Sequence, residues 1–148
     1  MPKTLLLFYI VVAVCRHRLI RADDPVVSDE FMQACTEGKV EIVKEALESH
    51  PDWVRGRSEN GETCLHVAGI KGQAKLTKLL LTKGGDPNVR TTFEQGLRMH
   101  PLSWNVYGAH LETIQVLLEN GASVNADFDT RRNGVLTKIT ALDMVLTL

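Results

Sequence analysis

In the segment around residue 111, apolar side chains fall at Leu111, Ile114, Leu117 and Leu118, while Glu112, Gln115 and Glu119 take the positions between. That spacing follows the 3.6-residue turn and predicts an amphipathic helix with one stripe packed inward. The acidic residues Glu41, Glu45 and Glu48 also recur at helical spacing, which reads as a hydrated outer face. Gly84 and Gly121 stand just beyond periodic stretches, where a left-handed backbone costs glycine least, and are expected to end their helices. A pair of helices this short cannot bury its stripe alone, so about three or more stacked units are needed.

Such units are visible as an internal repeat. Residues 73–88, QAKLTKLLLTKGGDPN, superimpose on residues 110–125, HLETIQVLLENGASVN, at an offset of 37. Gly84 then meets Gly121, Asn88 meets Asn125, and Leu79-Leu80 meets Val116-Leu117. Residues 63–72, TCLHVAGIKG, align with residues 100–109, HPLSWNVYGA, and residues 30–48 fit the same template 34 positions earlier. A period near 33 is the mark of stacked helical pairs. With Gly61, Thr63, Leu65, His66, Ala68 and Gly72 leading into Leu79–Leu81 and Gly84, Asp86 and Asn88, these segments resemble ankyrin repeats.

The resemblance runs from about Ser28 to Leu148. It implies an all-α solenoid of stacked helix-turn-helix units joined by β-hairpin-like loops, occupying residues 23–148. Repeats are expected at about 28–58, 59–91 and 96–128, with a partial fourth at 136–148 that opens on Thr140-Ala141-Leu142-Asp143. It gives Thr63 and His66 a structural role in stitching neighbouring loops. Three departures stand out: Cys64 replaces the family proline, Ser103 the family histidine, and Ala109 the glycine that closes the first helix. The connections from Asn88 to Leu102 and from Asn125 to Leu142 are 14 and 17 residues, longer than the template, and such insertions map to loops on one face.

The same resemblance implies a concave reading face built from hairpin tips and the exposed ends of first helices. On this chain those positions are Arg57, Glu59, Glu62, Ile70, Lys71, Phe93, Glu94, Arg98, Tyr107, Phe128, Arg131 and Arg132. Exposed aromatics beside arginines suit a binding hot spot. Trp104 falls on the inward side of its helix and reads as core.

The amino-terminal 22 residues are different. They lack Asp and Glu, begin with Lys3, and run apolar for the eleven residues 5–15. That is too short to span a bilayer but fits a secretory leader, with Ala13 and Cys15 or Ile20 and Ala22 as cleavage positions. Arg16, Arg18 and Arg21 after the apolar run keep an organelle presequence, a short anchor or an extended cytosolic terminus open as alternatives. The leading expectation is the secretory pathway or the extracellular space.

Composition narrows the chemistry. Of 148 residues, 44% are hydrophobic and 24% charged, the balance of a folded domain. The net charge is −1, and without residues 1–22 it is −5, so the domain has no electrostatic footprint for nucleic acid. No membrane contact is expected of the mature domain. The histidines, His17, His50, His66, His100 and His110, fall in no metal-ligand spacing, and no phosphate-cradling or nucleophile motif occurs. Neither metal, cofactor nor catalysis is expected. Cys35 and Cys64 read as packed thiols rather than a disulfide or nucleophile, although a secretory leader makes their pairing worth testing.

The expected activity is therefore non-enzymatic binding of an unidentified protein. The alternative is that the array is a recognition or regulatory fragment of a longer enzyme. At the far end, Leu142, Met144, Val145, Leu146 and Leu148 have no second helix to cover them. Terminal repeats normally carry a polar cap. A truncated array or self-association through residues 142–148 would account for the pattern.

Overall fold

The computed structural model of the protein describes residues 24–92, 97–132 and 135–147; the leader expected at residues 1–22 lies outside them. The first helix, α1 (Asp29–Glu37), starts where the Ser28 side chain accepts a hydrogen bond from the Phe31 amide at 3.2 Å, and Asp29 and Glu30 complement its amino-terminal dipole. Gly38, at φ 69°, ends it. A second helix, α2 (Val40–Ser49), turns back and buries Val43 and Leu47. The short 3-10 turn Pro51–Arg55 then sets Trp53 edge-on to Phe31, with ring centroids 5.1 Å apart, and stacks it on His50.

The plan repeats with α3 (Cys64–Ile70) and α4 (Ala74–Thr82), and again with α5 (Pro101–Tyr107) and α6 (Leu111–Glu119). A last helix, α7 (Ala141–Thr147), packs against α5. Helices α1, α3, α5 and α7 adjoin one another in succession, while α2, α4 and α6 form a second row behind them. Between the rows lies the core, with Leu65, Leu76, Leu80, Leu102 and Leu117 almost wholly buried. Each such leucine contributes about 1.5–3 kcal/mol relative to exposure.

The stripe expected on α6 is only partly buried. Leu117 is enclosed and Ile114 half-buried, but Leu111 is 78% exposed and Leu118 41%. The reason is positional: α6 packs on α4 and α5, and among the described residues no further outer helix covers its other side. The apolar end of the array is likewise open, with Leu142, Val145 and Leu146 exposed.

Two findings differ from the sequence reading. The expected class is all-α with β-hairpin-like loops, whereas the hairpin-like connection before α7 is a regular two-stranded antiparallel sheet, so the chain is not purely helical: β1 (Asp127–Arg132) pairs with β2 (Val135–Thr140), from Asp127 opposite Thr140 to Arg132 opposite Val135. The lengthened connection gives each strand enough residues to satisfy its backbone groups on the other.

The second difference concerns the cysteines. Cys35 and Cys64 are not separate thiols but a disulfide, with Cα atoms 5.5 Å apart and both residues fully buried. Cys64, the position that departs from the template proline, thus ties α3 to α1 of the preceding unit.

Helix closure shows what the template glycines do. Gly38, Gly72 and position 109 occupy the same left-handed turn, at φ 69°, 65° and 56°, but residue 109 is alanine. A Cβ in this region costs about 1–2 kcal/mol, partly offset by the lower unfolded-state entropy of alanine. Ala109→Gly is expected to stabilise the domain by about 0.5–1 kcal/mol, read as a rise in thermal midpoint of a few degrees. The disulfide closes a sequence separation of 29, for which chain entropy suggests about 3–4 kcal/mol. Reductant or Cys35→Ser should lower the unfolding free energy by an amount of that order. A denaturant midpoint unchanged by reduction would contradict the cross-link.

Candidate interaction surface

The surface is held from beneath by polar side chains that bridge one unit to the next. Thr63 caps α3, and both its amide (3.1 Å) and its hydroxyl (2.9 Å) approach Nδ1 of His66. An amide can only donate, so Nδ1 is the acceptor and the proton sits on Nε2. That N–H faces the carbonyls of Val89 at 3.1 Å and Met99 at 3.2 Å in the following hairpin. The imidazole therefore joins its own helix cap to the next connection. Burial, followed by the nearby Arg57 guanidinium, pushes the His66 pKa down to about 3, which keeps the ring neutral.

In the next unit the same two chemistries exchange places. His100 occupies the cap position and Ser103 the histidine position, with the Ser103 hydroxyl 3.2 Å from His100 Nδ1. His100 Nε2 reaches the Ala126 carbonyl at 2.9 Å. The loss of the template histidine at Ser103 is thus made good three residues earlier. Burial lowers the His100 pKa as well.

Arg57 belongs to this scaffold and not to the reading face. It is 7% exposed; its Nε lies 2.6 Å from Asp24 and its Nη1 donates to the carbonyls of Gly61 and Arg90, both at 2.9 Å. With its donors directed inward, the guanidinium has nothing to offer a partner. Arg90, 33 residues on, makes the corresponding reach to Asp127, and Lys138 and Arg90 hold that carboxyl well below its usual range. Asn88 similarly donates to the Gly121 carbonyl and accepts from the Ser123 amide.

Phe128 is also withdrawn from the expected face. It is 1% exposed and stands edge-on to His100, because β1 turns it under the hairpin. Glu59, Lys71 and Arg98 are exposed, and Tyr107 is 70% exposed. Glu62 and Ile70 are half-buried, and burial pushes the Glu62 carboxyl up. Arg98 follows Leu97 in a left-handed pair, at φ 50° and 59°, an uncommon backbone for two non-glycine residues. Phe93 and Glu94 lie outside the described residues; Arg131 and Arg132 lie on β1 opposite Leu136 and Val135.

The structure brings Ile70 and Tyr107 to the same point on the adjoining helices α3 and α5. One turn earlier on each stand Val67 and Trp104, both half-buried, with Val67 also packed against the core. Trp104 is therefore not fully core, and its Nε1 is enclosed with no hydrogen-bond partner. The sequence reading missed Val67 and misplaced Trp104, although three-residue spacing back from Ile70 and Tyr107 would have found both. On α1 the positions 34 residues before Val67 and Ile70 are the exposed polar residues Gln33 and Thr36. Among the described residues no group of three or more His, Cys, Asp or Glu could hold a metal ion. No described helix is long and apolar enough to cross a membrane.

Comparison with known proteins agrees with this architecture. The profile of the family described as ankyrin repeats (3 copies) matches residues 31–128. The human transient receptor potential cation channel subfamily A member 1 is 32% identical over 127 residues, covering 83% of this chain and 11% of that protein. Its Caenorhabditis elegans homolog is 29% identical over 99 residues, 67% of this chain and 8% of that protein. Human BRCA1-associated RING domain protein 1 is 42% identical over 45 residues, 30% of this chain and 6% of that protein. The chain spans about a tenth or less of the length of these relatives.

The buried imidazole gives the fold a pH dependence of definite sign. The unfolded chain takes up a proton at His66 below about pH 6.5, while the folded chain resists until about pH 3, so acidification favours unfolding. Stability should fall on the order of 1 kcal/mol per pH unit as pH drops from about 6.5, in denaturant titrations at stepped pH. His66→Ala should lower stability by about 2 kcal/mol or more at neutral pH, by stranding two carbonyls, and should flatten that slope.

Proposed function

The chain belongs to the ankyrin-repeat family, and from that premise we propose that it is a non-enzymatic protein–protein interaction module that reads a partner on the concave side of a solenoid. Proteins built from these repeats generally bind other proteins. The observation that carries the reading here is the strip of Val67, Ile70, Trp104 and Tyr107, apolar side chains left partly or largely uncovered on two rigidly packed helices. The helices are held by caps, imidazole bridges and a disulfide, so little conformational entropy remains to be lost when a partner docks. Arg98 and Lys71 border the strip and add polar contacts at its rim.

The proposed compartment is the secretory pathway or the cell exterior. Two features support it: the apolar, acid-free residues 1–22, and a buried disulfide of a kind that reducing compartments rarely sustain. Amino-terminal sequencing of the native protein should find a start near Asp23, and an intact Met1 would count against export.

A second reading makes the array the recognition or regulatory arm of a longer protein. The small share of each relative that the match covers favours it, since the two channel relatives carry the corresponding segment within far longer chains. Sequencing the full transcript tests this reading: an open frame running on into another domain would support it.

The surface itself is tested by Tyr107→Ala combined with Arg98→Ala. With helicity unchanged by circular dichroism, the double variant should bind its native partner about ten-fold or more weakly in a quantitative pull-down. Undiminished binding by the folded variant would remove the surface assignment.

A further inference from the structure

We propose that the junction between the first and second units is a redox-gated hinge: the Cys35–Cys64 bond latches the first unit, α1 and α2 with the turn Pro51–Arg55, and its reduction by a dithiol lets that unit swing open while the rest of the array stays folded. The bond sits on the inner row, where both cysteines are fully buried between α1 and α3. In the next junction the matching positions are Gly69 and Pro101, 34 and 37 residues on. There the helices meet by close approach, since a Cβ on Gly69 would lie 2.5 Å from the Asn105 amide nitrogen and 3.4 Å from the Pro101 carbonyl. The covalent bond thus stands where direct packing holds the following unit.

The outer row of the same junction is poorly filled. A cleft of about 280 Å³ lies there, lined by Gly38, Val40, Gln73, Ala74 and Glu112 among others. Helix α4 packs more extensively on α6 than on α2. Gln73 holds the place that His110 holds one unit later. Each side chain lies over a helix-ending glycine, Gly38 or Gly72, and reaches a carbonyl of the preceding inner helix: Gln73 Nε2 donates to Thr36 at 2.8 Å, and His110 Nε2 stands 3.0 Å from Ile70. The fit differs. The His110 ring is wedged against both Gly72 and Gly108, whereas Gln73 leaves its Oε1 enclosed with no hydrogen-bond partner, which works against closure.

Among the described residues the first unit has a neighbour on one side only, whereas the second is packed on both. Stability in a stacked array is a sum over units and interfaces, so a terminal unit with a loose interface is the first to open. With the bond intact, α1 cannot leave α3. Reduction removes that restraint: a thiolate of the dithiol attacks one sulfur and breaks the S–S bond, and the reagent's second thiol resolves the mixed disulfide. Two electrons and two protons pass to Cys35 and Cys64, which become thiols, while the dithiol becomes a disulfide. What then crosses the junction is reversible: helix packing, the Gln73 bond to Thr36, and the pairing of residues 24–27 with Arg57. Opening uncovers the α3 surface around Cys64, fully buried in the closed array.

The test is hydrogen exchange, followed by mass spectrometry, on the full chain with the bond intact and after reduction with dithiothreitol. Reduction should raise exchange in α1 and α2 about 100-fold and leave α4, α5 and α6 within about three-fold. Cys35→Ala with Cys64→Ala should reproduce that pattern without reductant. Gln73→His, which installs the imidazole of the next unit, should recover about ten-fold of the lost protection in the reduced chain. A rise spread evenly over all units, whether on reduction or in a double alanine variant that fails to fold, would overturn the hinge, as would no rise at all. Protection left unrecovered by Gln73→His would overturn the loose outer seat as the reason the unit opens. Non-reducing peptide mapping that finds Cys35 and Cys64 as thiols in the native protein would overturn the latch.

Discussion

Lateral packing between short helices is the constraint on which the molecule depends. The described helices run seven to ten residues, and isolated helices shorter than about 12–15 residues are marginal in water. None could persist without neighbours. Leu65, Leu76, Leu80, Leu102 and Leu117 supply the contact area, each enclosed between units. The same dependence explains the exposed leucines on α6 and α7: where the row of described helices stops, apolar side chains are left without cover.

Packing alone does not fix how one unit sits on the next, and polar bridges supply that register. His66 reaches the carbonyls of Val89 and Met99, His100 that of Ala126, and Asn88 that of Gly121. Each bridge satisfies a hairpin carbonyl or amide that a tight connection would otherwise leave unpaired. Thr63 with His66 and His100 with Ser103 place a hydroxyl and an imidazole near the helix start in either order, whereas Thr140 with Asp143 pairs the hydroxyl with a carboxylate. Arg57 serves the same end with a charged group, and its ion pair with Asp24 meets the cost of burying it.

A rigid frame of this kind separates structural from recognition chemistry. Side chains that point between units are consumed in caps, bridges and core, and those on the uncovered side of α1, α3 and α5 remain available. Val67 and Ile70 on α3 and Trp104 on α5 are half-buried, and Tyr107 is exposed.

The repeat, its helix pairs and its glycine stops were legible in the sequence, because periodicity and turn chemistry are local properties that each copy displays again. Family membership followed from the same residues. The fate of individual side chains was not legible. Arg57 and Phe128 looked like surface residues by template position, yet a buried ion pair and the β1–β2 hairpin drew them inside. Cys35 and Cys64 lie far apart in the chain and became partners only when α1 was laid against α3. Trp104 kept part of its ring on the open side. Short-range pattern determines which segments become helices and where they stop; which atoms from distant segments meet is decided when those helices stack, since burial and hydrogen bonding depend on neighbours that the local sequence does not contain.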